Sequence, residues 1–197
     1  MSKKYWQEFY RKKHTMKPSP FAEWVQKNYL SNALYPILDI GCGNGRDSEY
    51  FVKYGHTVNG MDNSLEANMQ DPISGIIYYN TDIKNLSINN KIFQGIYKVF
   101  YIRFILHSIS EKEETNLLKW ITNKKRFQNL ICIETRSGKN DPKTFHYQKH
   151  KRRLTNGKKL IKKLLALGYD IIYYQESKGL AKYKKEDPIV IRIIAKI

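Results

Sequence analysis

Ile37-Leu-Asp-Ile-Gly-Cys-Gly-Asn-Gly45 decides the fold. An apolar run meets an acid, Asp39, and then three glycines at alternate positions, Gly41, Gly43 and Gly45. The pattern is that of a buried strand that breaks into a tight turn and enters a helix. A turn without side chains lets a ligand lie directly on backbone. A carboxylate at the mouth of such a turn would repel phosphate. It suits a ligand that carries an amine, a positively charged sulfur and ribose hydroxyls.

Strand and helix signals alternate outward from this turn. Upstream, residues 3–13 predict a short amphipathic helix with Tyr5, Trp6, Phe9 and Tyr10 near one face, broken by Lys17-Pro-Ser-Pro20. Ser19 caps a second helix, with Pro20 at its first position, that runs through Phe21, Trp24 and Val25 to about Leu30. Downstream, a helix over 45–54 stops at Gly55, a strand over 56–61 ends at Asp62, and a short helix follows Ser64. Strands are expected at 76–79, 94–101 and 130–133. Ser110 caps a helix with Glu111, Glu113 and Glu114 at its start and Lys124, Lys125 and Arg126 near its end, which suits the helix dipole. A basic amphipathic helix over 157–167 ends at Gly168, and strands at 169–174 and 188–195 close the pattern as an antiparallel hairpin. Such alternation predicts an α/β fold with a mainly parallel sheet covered on both faces. One domain over 1–197 is expected, with 1–33 as a helical cap and 34–197 as the core.

The chain has 197 residues, 41% hydrophobic and 27% charged, which fits a globular domain with a sizeable core. Cys42 and Cys132 lack metal-ligand spacing and imply no disulfide framework, so no metal is expected and a reducing, cytoplasmic location fits. No apolar run approaches membrane-spanning length, and no membrane partner is expected. The net charge of +17 has two readings. It is either an attraction for an anionic partner or the mark of a lysine-rich composition. The segment Lys149-His-Lys-Arg-Arg153, followed by Lys158, Lys159, Lys162 and Lys163, stands out from this background.

In an open parallel sheet, ligands collect at the carboxyl ends of the strands. Asp39, Asp62 and Asp82 fall at three successive strand ends around the glycine turn. Each alone is an ordinary turn or cap residue; together they form a joint signal. The run Leu38-Asp39-Ile-Gly41-Cys-Gly43-Asn-Gly45 resembles the first motif of class I S-adenosylmethionine-dependent methyltransferases. The resemblance spans nearly the whole chain. It implies a Rossmann-like seven-stranded, mostly parallel sheet with helices on both faces and an antiparallel last strand, and S-adenosyl-L-methionine as cofactor. By resemblance, Gly41, Cys42, Gly43, Asn44 and Gly45 lie against its methionine and ribose. Asp39 organises the turn and the amine, Asp62 with Asn63 holds the ribose hydroxyls, and Asp82 with Ile83 holds the adenine. A dinucleotide site is disfavoured, because Arg46 stands where the G-x-G-x-x-G pattern needs its third glycine.

The segment Tyr101-Ile-Arg-Phe-Ile-Leu-His-Ser-Ile109 follows in the position of the active-site lip. Arg103 and His107 are polar residues inside an apolar run. His107 is a candidate general base or acceptor ligand, and Arg103 a candidate clamp for an anion; each also has a plain structural role open to it. A narrower resemblance, to small bacterial methyltransferases of surface-polysaccharide and capsule loci, rests on several stretches. These are Tyr101 to Ile109, Ile133-Glu134-x-Arg136-Ser137, the His150-x-Arg152-Arg153 cluster, Glu176 to Ala181, Asp187-Pro-x-Val-Ile-Arg192, and an opening with Trp6, Phe9, His14 and Pro18 to Phe21. It implies a small anionic acceptor, such as a sugar phosphate, phosphate ester or polysaccharide precursor. Tyr101, Arg103, Glu134, Arg136, His150, Arg152 and Arg153 are then the acceptor-binding candidates. The alternative is a nucleic-acid (RNA) methyltransferase that uses the basic surface. Against it stand the missing Asn/Asp-Pro-Pro-Tyr/Phe motif and the missing Pro-Cys pair. A non-catalytic cofactor-binding protein is a third class. The sequence does not set the oligomeric state.

Overall fold

The computed structural model describes residues 17–64, 76–86, 96–123, 129–140, 153–183 and 186–197. The expected helices over 3–13 and after Ser64, the basic end at 124–126, and His150 and Arg152 lie outside these residues.

Seven strands form one sheet: β1 (Pro36–Ile40), β2 (Thr57–Asp62), β3 (Ile76–Asn80), β4 (Val99–Arg103), β5 (Leu130–Arg136), β6 (Asp170–Ser177) and β7 (Val190–Lys196). Their order is β3-β2-β1-β4-β5-β7-β6. Every neighbouring pair from β3 to β5 is parallel, and β7 runs antiparallel between β5 and β6. The direction of strand succession reverses between β1 and β4, so a crevice opens there at the carboxyl ends. The glycine turn falls at this point.

The period of two along the central strands separates two cores. Leu38, Ile40, Phe100, Ile102, Ile131 and Ile133 pack with α3 (Glu111–Asn123) and α4 (Gly157–Ala166) through Leu117, Leu118, Ile121, Leu160 and Leu164. Ile37, Val99, Tyr101 and Cys132 pack with Phe21, Ala22 and Val25 of α1 (Pro20–Val25) and Phe51 of α2 (Arg46–Lys53). Each fully buried large aliphatic side chain contributes about 1.5–3 kcal/mol. The sheet is therefore rigid where it carries the site.

Local chemistry sets the helix ends. The Ser19 hydroxyl accepts the Ala22 N–H at 3.1 Å, and Pro20 follows as the first helical residue. Ser110 and Glu113 form a capping box: Glu113 N donates to Ser110 Oγ at 3.2 Å and Ser110 N to Glu113 Oε2 at 2.7 Å. Several boundaries differ from expectation: β5 and β6 each run three residues past their expected ends, to Arg136 and Ser177. α1 gives way to a π-helical turn over Gln26–Leu30, where the buried Gln26 amide bonds His56 Nε2 at 2.8 Å and the Leu30 carbonyl at 3.5 Å. β4 begins at Val99, five residues later than the expected 94, and continues to Arg103. Its register on β1, Ile37 opposite Val99, places Val99 to Ile102 in the core and leaves Ile96 exposed.

Candidate active site

The turn after β1 is left-handed three times, with φ of 77° at Gly41, 59° at Gly43 and 77° at Gly45. Gly41 is doubly constrained, since a Cβ there would stand 2.0 Å from Ile105 Cδ1. Backbone bonds brace the turn on β2. Gly41 N and Cys42 N donate to the Met61 carbonyl at 2.7 and 3.2 Å, and Gly43 N donates to Asp62 Oδ2 at 3.1 Å. Asp62 Oδ1 accepts from Ser64 N and Oγ at 2.8 and 2.6 Å. Asp82 accepts from Asn63 Nδ2 at 3.1 Å and from Lys84 N at 2.9 Å.

Beneath the turn lie two buried acids. Asp39 accepts from Ser48 Oγ at 2.6 Å, and no described Lys or Arg forms an ion pair with it. Burial, and then the neighbouring Asp47 carboxylate, push its carboxyl up to about 8. Asp47 accepts from Ser19 N at 2.7 Å, Ser19 Oγ at 2.7 Å and Tyr101 Oη at 2.9 Å. Sequence reasoning passed over Asp47, which looks like an ordinary acid in the first turn of a helix. Only the fold brings Ser19 and Tyr101 to it.

A cavity of ≈ 330 Å³ opens above these residues. Asp39, Gly41, Cys42, Asn44, Met61, Asp62, Asn63, Asp82 and Ile83, on β1, β2 and the segments that follow β1 to β3, line it together with Tyr101, Arg103, Phe104, His107 and Arg136 from β4, the turn after it and β5, and with Tyr183 and Glu186. Gly43 and Gly45 shape the turn without lining the cavity. Among the described residues no His, Cys, Asp and Glu cluster is placed to hold a metal ion, and no helix is long and apolar enough to cross a membrane. The acidic group of lining residues fits S-adenosylmethionine. It offers a bare backbone turn, a buried carboxyl without an ion-pair partner for a cationic ligand, and the Asp62 and Asp82 carboxylates for donor groups.

Among the other lining residues, Arg103 Nε donates to Glu134 Oε1 at 2.9 Å, and its side chain keeps 16% exposure. His107 is 3% exposed, with Nδ1 at 3.3 Å from Thr135 Oγ1 and 3.5 Å from the donating Arg136 N–H. Arg136 Nη2 bonds Glu186 Oε2 at 3.2 Å. Tyr101 is buried, with its hydroxyl given to Asp47 and Ser19.

Two expectations are corrected. Glu134 does not line the cavity: it is 1% exposed, and Arg103 Nε and Arg192 Nε bond its two oxygens at 2.9 and 2.8 Å. A carboxylate so buried anchors Arg103 and does not reach an acceptor in the cavity. Arg192, the missed partner, also stacks over Phe21 and Trp24. Arg153 does not line the cavity either. It clasps the 3₁₀ turn Leu106–Ser108 that carries His107. Its N–H donates to the His107 carbonyl at 3.1 Å, Nε to Ile109 O at 3.1 Å and Nη2 to Leu106 O at 3.0 Å, and its guanidinium pairs with the buried Glu114. Arg153→Ala is expected to lose about 2–3 kcal/mol, because two carbonyls and a buried acid lose charge-assisted partners. A urea midpoint equal to that of the wild type would refute the clasp.

Among solved structures, the chain is similar to the Burkholderia thailandensis 1,6-didemethyltoxoflavin-N1-methyltransferase bound to 1,6-didemethyltoxoflavin and S-adenosylhomocysteine. The TM-score is 0.68 and the identity 17%, over 90% of this chain and 76% of that one. It is similar to a SAM dependent methyltransferase from Archaeoglobus fulgidus at a TM-score of 0.64 and 18% identity, over 89% and 94%. It also resembles the glycopeptide N-methyltransferase MtfA at a TM-score of 0.63 and 11% identity, over 90% and 96%. At such identities the likeness is one of fold. No curated protein matches the sequence. The family model for tellurite resistance protein TehB matches residues 3–148. The chain belongs to that family and has the fold of class I S-adenosylmethionine-dependent methyltransferases.

Proposed function

We propose that this S-adenosylmethionine-dependent methyltransferase methylates an oxygen of a small anionic acceptor: a sugar phosphate, another phosphate ester, or a surface-polysaccharide precursor. The observation that carries this reading is the Arg103 guanidinium. Its Nε is tied to Glu134, no described residue bonds its Nη groups, and it lines the cavity facing the glycine turn. An arginine held at Nε presents its remaining fork to a phosphate or carboxylate.

His107 lines the cavity, with its Nδ1 3.3 Å from Thr135 Oγ1 and 3.5 Å from Arg136 N; in this reading its ring orients an acceptor oxygen. An acceptor that is already ionised needs no base, only orientation and exclusion of water. In this reading Asp62, Asn63, Asp82 and Ile83 hold the nucleoside, and Asp39 stands nearest the cationic part of the cofactor. When bound, the cofactor would supply an electrophilic methyl carbon on a sulfonium, with a neutral thioether as the leaving group while the acceptor oxygen takes that carbon. Residues 1–197 act as one catalytic domain, in the cytoplasm.

The test is a panel of phosphorylated sugars and polyols incubated with labelled cofactor and read by mass. Gain of one methyl group on a phosphorylated member is expected. Arg103→Ala should then cut kcat/KM about 100-fold, with cofactor affinity unchanged; equal turnover would remove Arg103 from the acceptor site. The net charge of +17 and the exposed Lys158, Lys159 and Lys162 favour a second reading, RNA as acceptor. Methylation of RNA, with binding that falls steeply with salt, would replace the first.

A further inference from the structure

Among the described residues, Phe104 is the one non-glycine in the left-handed region, with φ of 57°. A bulky L-residue held there is strained, and Gly or Asn is the usual occupant. Two bonds hold the backbone in place: Phe104 N donates to the Glu134 carbonyl at 2.8 Å, and Ser108 Oγ donates to the Phe104 carbonyl at 3.3 Å. The step separates two neighbours. Ile105 packs on the Gly41 turn. The Phe104 ring stays with the acceptor-binding candidates, where Arg103 Cζ lies 4.4 Å and Arg136 Cζ 5.7 Å from its centroid. The His107 ring meets it edge-on, with centroids 5.6 Å apart. All four side chains line the same cavity. The backbone needs no aromatic here, so the strain is attached to what the ring touches.

We propose that Phe104 is a positioning residue for an oxyanion subsite, its ring fixing the planes of Arg103 and Arg136 and the edge of His107 so that together they take a phosphate group of the acceptor. The proposal rests on the anionic-acceptor reading above. Arg103 is constrained at two places, by Glu134 at Nε and by the ring on its face. That leaves only the Nη fork to meet a ligand. Each guanidinium–ring contact is attractive, and the larger effect is orientation, since a bidentate pair tolerates little rotation.

The experiment titrates inorganic phosphate by calorimetry into protein saturated with S-adenosylhomocysteine. Phe104→Tyr keeps the ring and should keep phosphate affinity within about threefold of wild type. Phe104→Leu should bind phosphate about tenfold or more weakly, with S-adenosylhomocysteine affinity unchanged in all three proteins. Phe104→Asn suits the left-handed backbone and lacks the ring, and it replaces Phe104→Leu if that variant does not fold. Crystal structures supply the second readout: without the ring, Arg103 should leave Glu134 or Arg136 should leave Glu186. Undiminished phosphate binding in the ringless variant, or both arginines unmoved in it, overturns the proposal. Absence of phosphate binding by the wild type would instead overturn the anionic-acceptor reading, and the crystal structures would still decide the role of Phe104.

Discussion

Glu134→Ala is expected to lower stability by about 3–5 kcal/mol, one of the largest losses available to a single substitution in this chain. The side chain lies 58 residues before Arg192 and 31 after Arg103, and each of its oxygens accepts from one of them. Removing it leaves two guanidiniums facing each other across a site that is 1% exposed. Arg192 would keep only its Nη2 bond to the Leu180 carbonyl, at 2.8 Å, and its stacking on Phe21 and Trp24. For a domain of this size the midpoint of thermal unfolding should fall by about 10 °C. Glu134→Gln keeps one acceptor and loses the charge, so it should fall in between. In a double-mutant cycle, Glu134→Ala with Arg192→Met should cost less than the sum of the two, because each single change strands the other partner. A Glu134→Ala protein that melts with the wild type would remove the buried pair from the account of both stability and Arg103 placement.

This anchor shows where sequence reading stops. The glycine turn, the three acids and the alternation of elements are local features. They were legible because turn chemistry and periodicity act over a few residues. Ser19, Ser110, Gly55 and Gly168 punctuate the helices as their chemistry requires. The β4 boundary went astray because Ile96 and Tyr97 continue the apolar pattern. What fixes the strand is its register on β1 and β5, which a single segment does not carry. The acceptor side is harder still. Glu134 and Arg153 stand beside plausible site residues in sequence, yet their charges are used across 31 and 39 residues, by Arg103 and Glu114. Phe104 reads as one more apolar residue in an apolar run. Its left-handed backbone appears only once the strand end is built.

Asp39→Asn is expected to make the protein more stable and a poorer cofactor binder at the same pH. The Asp39 carboxyl is raised from an ordinary 3.8 to about 8, first by burial, then by Asp47 and further by Asp62; the Ser48 hydroxyl and Arg103 pull the other way. A folded carboxyl titrating above its unfolded value lowers stability as pH rises. Between about pH 4 and pH 8 the unfolded chain has shed a proton that the folded chain keeps, so the folded state loses ground across that window and levels off above it. Asn removes this penalty while still accepting from Ser48 Oγ. A shift of this size bounds the gain at about 5 kcal/mol. Relaxation and water leave an expected gain of about 2 kcal/mol at pH 8, or about 6 °C in thermal midpoint. The gain should vanish toward pH 4. A cationic ligand beside Asp39 stabilises its ionised form, so binding releases a proton and wild-type affinity for S-adenosylmethionine should climb with pH until about 8. The Asn variant should lose that part of the climb and bind about tenfold or more weakly at pH 8. Calorimetry in two buffers of different ionisation enthalpy measures the proton directly. If Asn releases as many protons on binding as the wild type, or gains no stability at pH 8, Asp39 is not the group that answers the charge of the cofactor.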